Sequence, residues 1–386
     1  MAHYWGAPTM GSERTRVIDA LRGVALFGVL LVNVVTEFRV SLFQAFLPPS
    51  AHATTTDKVL SRALFLAVEF KAFILFSLLF GVGLAIQSDH ARNAGRSFGA
   101  YVVRRHLALL VIGLAHLYLV WNGDILTLYA ILALIAAPLI GCSTRALLVL
   151  ALACFVVHVL PLPYPTPFPD AAAMRHHVSA ADHIYPNGGF VDVLRFRVAE
   201  VRPISALLIS IAPRTLGLFF LGACAWRARL FTRDARGVLP VLLTVGAIVA
   251  GGALVVASEE AIPPGVLQDV ASGYGPILLA LGYAGAVVTA HARPLGAKIL
   301  GSVVPLGRMA LTNYLSQSVI MGFVFYGYGL GEFGKIGIVP ATALCIVVYA
   351  AQAVGSAVWL RHFELGPAEW IWRSVTYGAR QPMRRR

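Results

Sequence analysis

A histidine and an aspartate stand eight residues apart in the stretch 116–126, HLYLVWNGDIL, with apolar sequence on both sides. A histidine within reach of a carboxylate is the pairing of a general base with the group that orients it. Imidazole suits the task because its unperturbed pKa lies nearest to neutral. Asn122 and Gly123 tolerate the backbone of a tight turn. Asp124 then falls at the N-cap position of a returning helix. A cap alone accounts for Asp124, but a cap does not call for His116 just before the turn. Trp121 and Tyr118 suit the aromatic belt of a membrane surface.

The elements that hold this pair follow from composition. Of 386 residues, 58% are hydrophobic and 13% are charged, too few charges to cover a soluble protein of this size. Apolar stretches recur near residues 18–40, 59–86, 102–121, 124–141, 145–160, 203–225, 238–257, 274–291, 302–326 and 337–360. Most reach the ~20 residues that cross a ~30 Å hydrocarbon layer. The pattern predicts an all-α polytopic membrane protein of about ten transmembrane helices, with residues 1–386 forming a single membrane domain. Segments 124–141 and 145–160 are short enough to form one hairpin. The first apolar run has no small-residue cleavage site and reads as a helix, not a signal peptide.

The formal net charge is +13, yet the basic residues form no single patch, which argues against a nucleic-acid partner. They fall in alternate connections instead. One set comprises Arg14 and Arg16, then Arg92, Arg96, Arg104 and Arg105, then Arg145. Arg227, Arg229, Arg233 and Arg236 follow, then Arg293 and Lys298, and the tail MRRR. The intervening connections are poor in Lys and Arg. This bias places both termini in the cytoplasm. By the same parity the stretch 161–202 is a long exoplasmic loop, Pro-rich at its start, with a short amphipathic surface helix at 190–201. His176, His177 and His183 in this loop lack metal-ligand spacing and read as exposed histidines. Cys142, Cys154, Cys224 and Cys345 lack CxxC spacing and read as small buried hydrophobes, so no metal site is expected.

Polar residues inside apolar helices are costly and therefore mark function, or else helix-to-helix hydrogen bonds that fix packing. Asp19 and Arg22 share a helix face, and steps of three or four carry that face through Leu26 and Leu30 to Asn33. Glu69 and Lys71 fall near mid-membrane two residues apart, so each needs a partner elsewhere. The glycines of FSLLFGVG allow close approach of another helix. Arg308, Thr312 and Ser316 form one line, with Asn313 and Gln317 on the next. Arg214 is a buried cation with no partner in its own helix.

Five stretches in order, RVIDALRGVALFGVLLVN, FSLLFGVG, HLYLVWNGDILTLYA, GRMALTNYLSQS and GPAEWIWRSVTYG, resemble the YeiB-like family of bacterial inner-membrane proteins, domain of unknown function family 418. That family is distantly similar to the transmembrane acyltransferase superfamily, whose members pass an acyl group from a cytoplasmic donor to an exoplasmic acceptor. The resemblance implies a multi-pass protein of the bacterial cytoplasmic (inner) membrane and a membrane acyltransferase. The implied donor is acyl-CoA, a co-substrate and not a permanently bound cofactor. The implied acceptor is a small molecule, a glycan or a lipid-linked group, with membrane lipids as the other partner and a homo-oligomer compatible with it. In that scheme His116 is the base and Asp124 orients it. Trp121, Asn122, Asn33, Arg214, Arg308, Asn313 and Gln317 line the acceptor and acyl route. Asp19, Arg22, Arg104 and Arg105 meet the donor at the cytoplasmic mouth, although no phosphate-binding glycine motif accompanies them. The rival readings are a transporter or flippase, which also needs a polar interior, and a non-catalytic subunit of a membrane complex.

The charge bias makes a direct prediction. In a cysteine-free background, a membrane-impermeant thiol reagent added outside should label Ala180→Cys and spare Ala235→Cys. The opposite pattern would invert the topology.

Overall fold

A computed structural model describes residues 13–48, 54–93, 98–160, 169–231 and 236–385. Arg96, Arg233, Ala235 and the Pro-rich 161–168 lie outside them. Among the described residues the protein is helical throughout, with no strand beyond one isolated bridge between Phe363 and Arg384. The helices are α1 (Glu13–Asn33), α2 (Thr55–Ala67), α3 (Lys71–Asn93), α4 (Phe98–Ala115), α5 (Leu126–Ala136), α6 (Thr144–Val159), α7 (Ala171–Asn187) and α8 (Phe190–Arg227). They continue as α9 (Val238–Glu260), α10 (Val266–His291), α11 (Pro294–Gly301), α12 (Val304–Arg308), α13 (Ala310–Phe325), α14 (Ile338–His362) and α15 (Pro367–Tyr377). Two π-helical turns, Val34–Phe38 after α1 and His116–Val120 after α4, extend their helices by one turn each.

Among the described residues seven stretches are long and apolar enough to cross a membrane: Arg16–Phe38, Thr55–Asn93, Gly99–Val120, Phe190–Arg227, Val238–Glu260, Val266–His291 and Ile338–His362. The apolar segments 124–141, 145–160 and 302–326 yield shorter helices. The first two do not form a hairpin with each other: α5 packs on α4 and α8, and α6 packs on α8. The outer surface is apolar, as a hydrocarbon solvent requires. Leu239, Leu242, Leu243 and Val249 on α9 are each more than 60% exposed. Polar groups take the interior instead: Asn33, Lys71, His116, Arg214 and Asn313 are all buried. The chain is therefore an all-α polytopic membrane protein.

Three elements differ from the sequence expectation, each for a local reason. The 59–86 segment is not one helix, because Phe70 adopts φ 63° and splits α2 from α3. The break frees backbone carbonyls, and Lys71 Nζ donates to Phe65 O at 2.8 Å while Tyr283 donates to Ala67 O at 3.0 Å. Lys71 thus finds a partner in the last turn of α2, within its own segment. The 302–326 segment divides at Met309, where ψ is 32°. Glu369 on α15 then caps the fresh N-terminus of α13, accepting from Leu311 N at 2.8 Å and Thr312 N at 3.1 Å.

The described part of 161–202 is not a loop. Asp170 caps α7 by accepting from Ala173 N at 2.7 Å, and α7 buries Met174, Ala181 and Tyr185 on one face. Gly188 and Gly189 separate it from α8. The expected surface helix at 190–201 is the first third of α8, a single helix of 38 residues that carries Pro203 and Pro213 within it. At 1.5 Å per residue α8 is ~57 Å long, about twice the hydrocarbon thickness. Its polar N-terminal part, ahead of Pro203, therefore extends beyond its apolar C-terminal part, which supplies the span.

Close helix contact comes from small residues. A Cβ on Gly222 of α8 would overlap the Leu78 carbonyl of α3, and one on Gly81 of α3 would overlap the Phe219 backbone. Gly222→Val is expected to force α3 and α8 apart at a cost of roughly 1–3 kcal/mol. Gly252→Val, where a Cβ meets nothing, is expected to be near neutral. Thermal unfolding of the two variants in detergent checks the difference, and equal melting temperatures would contradict the packing account.

Candidate active site

The centre of the site is the turn that follows α4. His116 opens the π-helical turn His116–Val120, a local geometry that recurs at functional sites. Its Nδ1 lies 2.9 Å from Asp124 Oδ1, with both side chains buried. An ionised Asp124 only accepts, so in a neutral imidazole paired with it Nδ1 carries the proton and Nε2 the lone pair. That Nε2 is buried and has no hydrogen-bonding partner. The other oxygen of Asp124 accepts from Thr127 N at 2.7 Å. Asp124 therefore closes the first turn of α5 and fixes the imidazole at once.

Neighbouring elements press on this pair. The Tyr314 ring, from α13, stands 5.2 Å from the His116 ring. The Ile125 amide lies near the Tyr314 hydroxyl, and nothing accepts that hydroxyl's proton. Trp121 is buried and stacked on Phe38 at 4.5 Å between centroids. Trp121 therefore does not belong to a membrane-surface belt; the second π-helical turn, Val34–Phe38, delivers a ring that covers it. Tyr118 alone of the two aromatics is exposed. The Glu37 carboxylate, on the same turn as Phe38, lies directly over Gly123, where a Cβ would strike both it and the Trp121 ring. Asn33 is buried one turn below Glu37, with its Oδ1 unpartnered.

A second polar cluster abuts the first. Asn122, in the turn between His116 and Asp124, donates to Glu200 Oε2 of α8 at 2.6 Å. The Tyr185 hydroxyl donates to the same oxygen, and His177 Nε2 lies 2.5 Å from Glu200 Oε1. His177 is thus not an exposed loop histidine. Its ring sits between Phe43 and Phe196, each at 4.9 Å, while His176 and His183 are exposed.

Other sequence candidates lie elsewhere. Asn313 donates to Ser356 Oγ at 2.9 Å and Gln317 to Gln352 Oε1 at 2.8 Å, so these amides tie α13 to α14. It is Tyr314, on another face of α13, that reaches His116. Arg214 is buried with its guanidinium 5.7 Å over the Phe70 ring, and no hydrogen bond joins it to the His116–Asp124 pair. Asp19 and Arg22 pair at 3.0 Å at the other end of α1. Arg308 does not simply extend to the surface: it donates to Glu364 O at 3.3 Å, with Asp19, Arg373 and Arg385 in electrostatic range. Arg105 stacks on Trp372 at 3.7 Å, and Arg104 donates weakly to Val375 O at 3.4 Å. These residues share the basic end of the bundle with an open cavity of about 1160 Å³ lined by Arg380, Arg384, Arg385 and Glu364. From Arg105 to His116 is eleven residues of helix, or ~17 Å.

Sequence reasoning missed Tyr314, Glu37 and the Glu200 cluster. Glu37 was within reach, since the Asp19-to-Asn33 stripe meets it one step further along. Glu200 and its partners carry no local signal, because Asn122 and Glu200 are 78 residues apart.

Residues 225–379 match the family model described as "Protein of unknown function (DUF418)". Over almost its whole length the chain is similar to the uncharacterized protein YxaH of Bacillus subtilis, with 31% identity over 97% of both chains. It is 28% identical to the uncharacterized protein YeiB of Escherichia coli, over 96% of this chain and 98% of that one. An uncharacterized 39.9 kDa protein in the amylase 3' region of Bacillus acidopullulyticus is 27% identical over 97% of both. The turn bearing His116 and Asp124 precedes the matched family model but falls within the nearly full-length similarity to these relatives. The chain belongs to the DUF418 family.

Proposed function

We propose that this protein is a membrane acyltransferase in which His116 is the general base. The observation that carries the reading is the buried, unpartnered Nε2 of an imidazole whose other nitrogen is fixed by Asp124. A histidine that served packing alone would have no need of a carboxylate on one side and a free lone pair on the other. In the proposed reaction Nε2 takes the proton from an acceptor hydroxyl or amine. The acceptor atom attacks the thioester carbonyl of an acyl-CoA, and the Tyr314 hydroxyl donates to the oxyanion that forms. The carbon–sulfur bond then breaks, and the thiolate leaves with the proton from His116. Asp124 stabilises the imidazolium between the two transfers.

Topology follows the charge bias. Both termini and the basic end face the cytoplasm of a bacterial inner membrane, and the His116 turn lies towards the exoplasmic side. Arg22, Arg104 and Arg105, together with Arg380, Arg384 and Arg385 around the open cavity, supply positive charge for donor phosphates. The acceptor then approaches from the end where α7 and the start of α8 cover the turn.

A transporter or flippase is the second reading. The unwound Val68–Phe70 stretch beside buried Lys71 favours it, because broken helices near charged groups build transport sites. The two readings separate in one assay. Purified protein in detergent, given a panel of acyl-CoA donors and sugar or amine acceptors, should release free thiol. His116→Ala should lose 10²–10⁴-fold of that rate while still folding, with its melting temperature recorded beside the rate. In Asp124→Asn the amide oxygen still caps Thr127, but its NH₂ faces Nδ1 and favours the wrong tautomer. That variant should fold and be slow. Thiol release at the wild-type rate from folded His116→Ala would refute the catalytic role. No release from wild type with any donor would favour transport.

A further inference from the structure

Arg197 lies on α8 one turn before Glu200 and is 1% exposed. A buried guanidinium normally finds a carboxylate, because an uncompensated buried charge costs several kcal/mol. Arg197 has none. Glu200, its neighbour at i+3, has both oxygens committed to Asn122, Tyr185 and His177, and no ion pair joins it to Arg197. The Nε and Nη1 groups of Arg197 have no hydrogen-bonding partner. Its remaining contacts are weak: Nη2 donates to Leu119 O at 3.5 Å, and the guanidinium lies 5.6 Å from the centre of the Tyr326 ring. Leu119 belongs to the same π-helical turn as His116, so this cation borders the turn that carries the candidate base.

Nη2 has two N–H groups and gives one to Leu119 O, so its other N–H, with the free Nε–H or Nη1–H on the same edge, forms the fork that binds an oxyanion in a bidentate manner. Among the described residues no carboxylate pairs with this guanidinium, and its aromatic contact is the Tyr326 ring. We propose that Arg197 anchors a phosphate or carboxylate group of the molecule brought to His116, so that the acceptor is anionic. That the anion belongs to the acceptor rests on the acyltransferase reading; the binding does not. Arg195, two residues earlier and exposed, offers the same charge without the enclosure and serves as the control.

The test reads binding through thermal stability, without any turnover. Full-length protein in phosphatidylcholine nanodiscs is melted with sodium phosphate against sodium chloride at matched ionic strength. A second arm melts it in nanodiscs containing phosphatidylglycerol. The melting temperature should rise in the phosphate arm if the anion is soluble, or in the phosphatidylglycerol arm if it is lipid-borne. Arg195→Gln should keep the response and Arg197→Gln should lose it. Arg197→Lys, with a point charge in place of the fork, should weaken the apparent affinity roughly tenfold or more. Without added anion, Arg197→Gln should melt no lower than wild type, because it removes an unpaired buried charge. No wild-type response in either arm, or an equal response in Arg197→Gln, would overturn the proposal. If Arg197→Gln or Arg197→Lys melts far below wild type or does not fold, Arg197 has a structural partner and the proposal also fails.

Discussion

The Asp124 carboxylate holds both sides of one turn at once. Its Oδ1 accepts a hydrogen bond from Nδ1 of His116 at the end of α4, and its Oδ2 accepts one from the Thr127 amide at the start of α5. At the margin of a bilayer there is little water to substitute for either bond, so both must come from the protein. An N-cap bond is worth ~1 kcal/mol, and the buried imidazole would lose more if its partner were removed. Reversal of the chain and orientation of the imidazole are therefore the same interaction. Trp121, Asn122 and Gly123 are set by it as well. Trp121 is pressed inward against Phe38, Asn122 reaches Glu200, and Gly123 leaves space for the Glu37 carboxylate.

The rest of the bundle holds that turn at a defined distance from a basic surface. The short α15 is the fastener at the basic end. Its Glu369 caps α13, and its Trp372 donates to Arg105 O at 2.7 Å while stacking under the Arg105 guanidinium. Helices α4 and α13 are thereby joined at one end, and at the other they present His116 and Tyr314 to each other. The His116 turn and the basic cavity stand at opposite ends of α4.

Sequence patterning revealed the helices and the His116–Asp124 pair because both are local. Apolar runs report spans directly, and HLYLVWNGD carries its own turn and cap chemistry. What was hidden depended on contacts between distant elements. Trp121 reads as a surface aromatic until the π-helical turn after α1 brings Phe38 over it. The bonds of Asn313 and Gln317 could not be foreseen, because Ser356 and Gln352 come from α14. His177 reads as an exposed histidine because Glu200 comes to it from the next helix. The 161–202 stretch reads as a loop because of its prolines, yet the spacing of Met174, Ala181 and Tyr185 already carried a helical face.

The tautomer of His116 tests the central claim most directly. Nitrogen-15 NMR of protein labelled at histidine, with His116→Gln used to assign the resonance, reports which ring nitrogen bears the proton. With Asp124 holding Nδ1–H, the spectrum should show a protonated Nδ1 and an unprotonated Nε2, and Asp124→Asn should shift the proton towards Nε2. A wild-type His116 with its proton on Nε2 would contradict the account, because no lone pair would then be available to accept a proton from the acceptor.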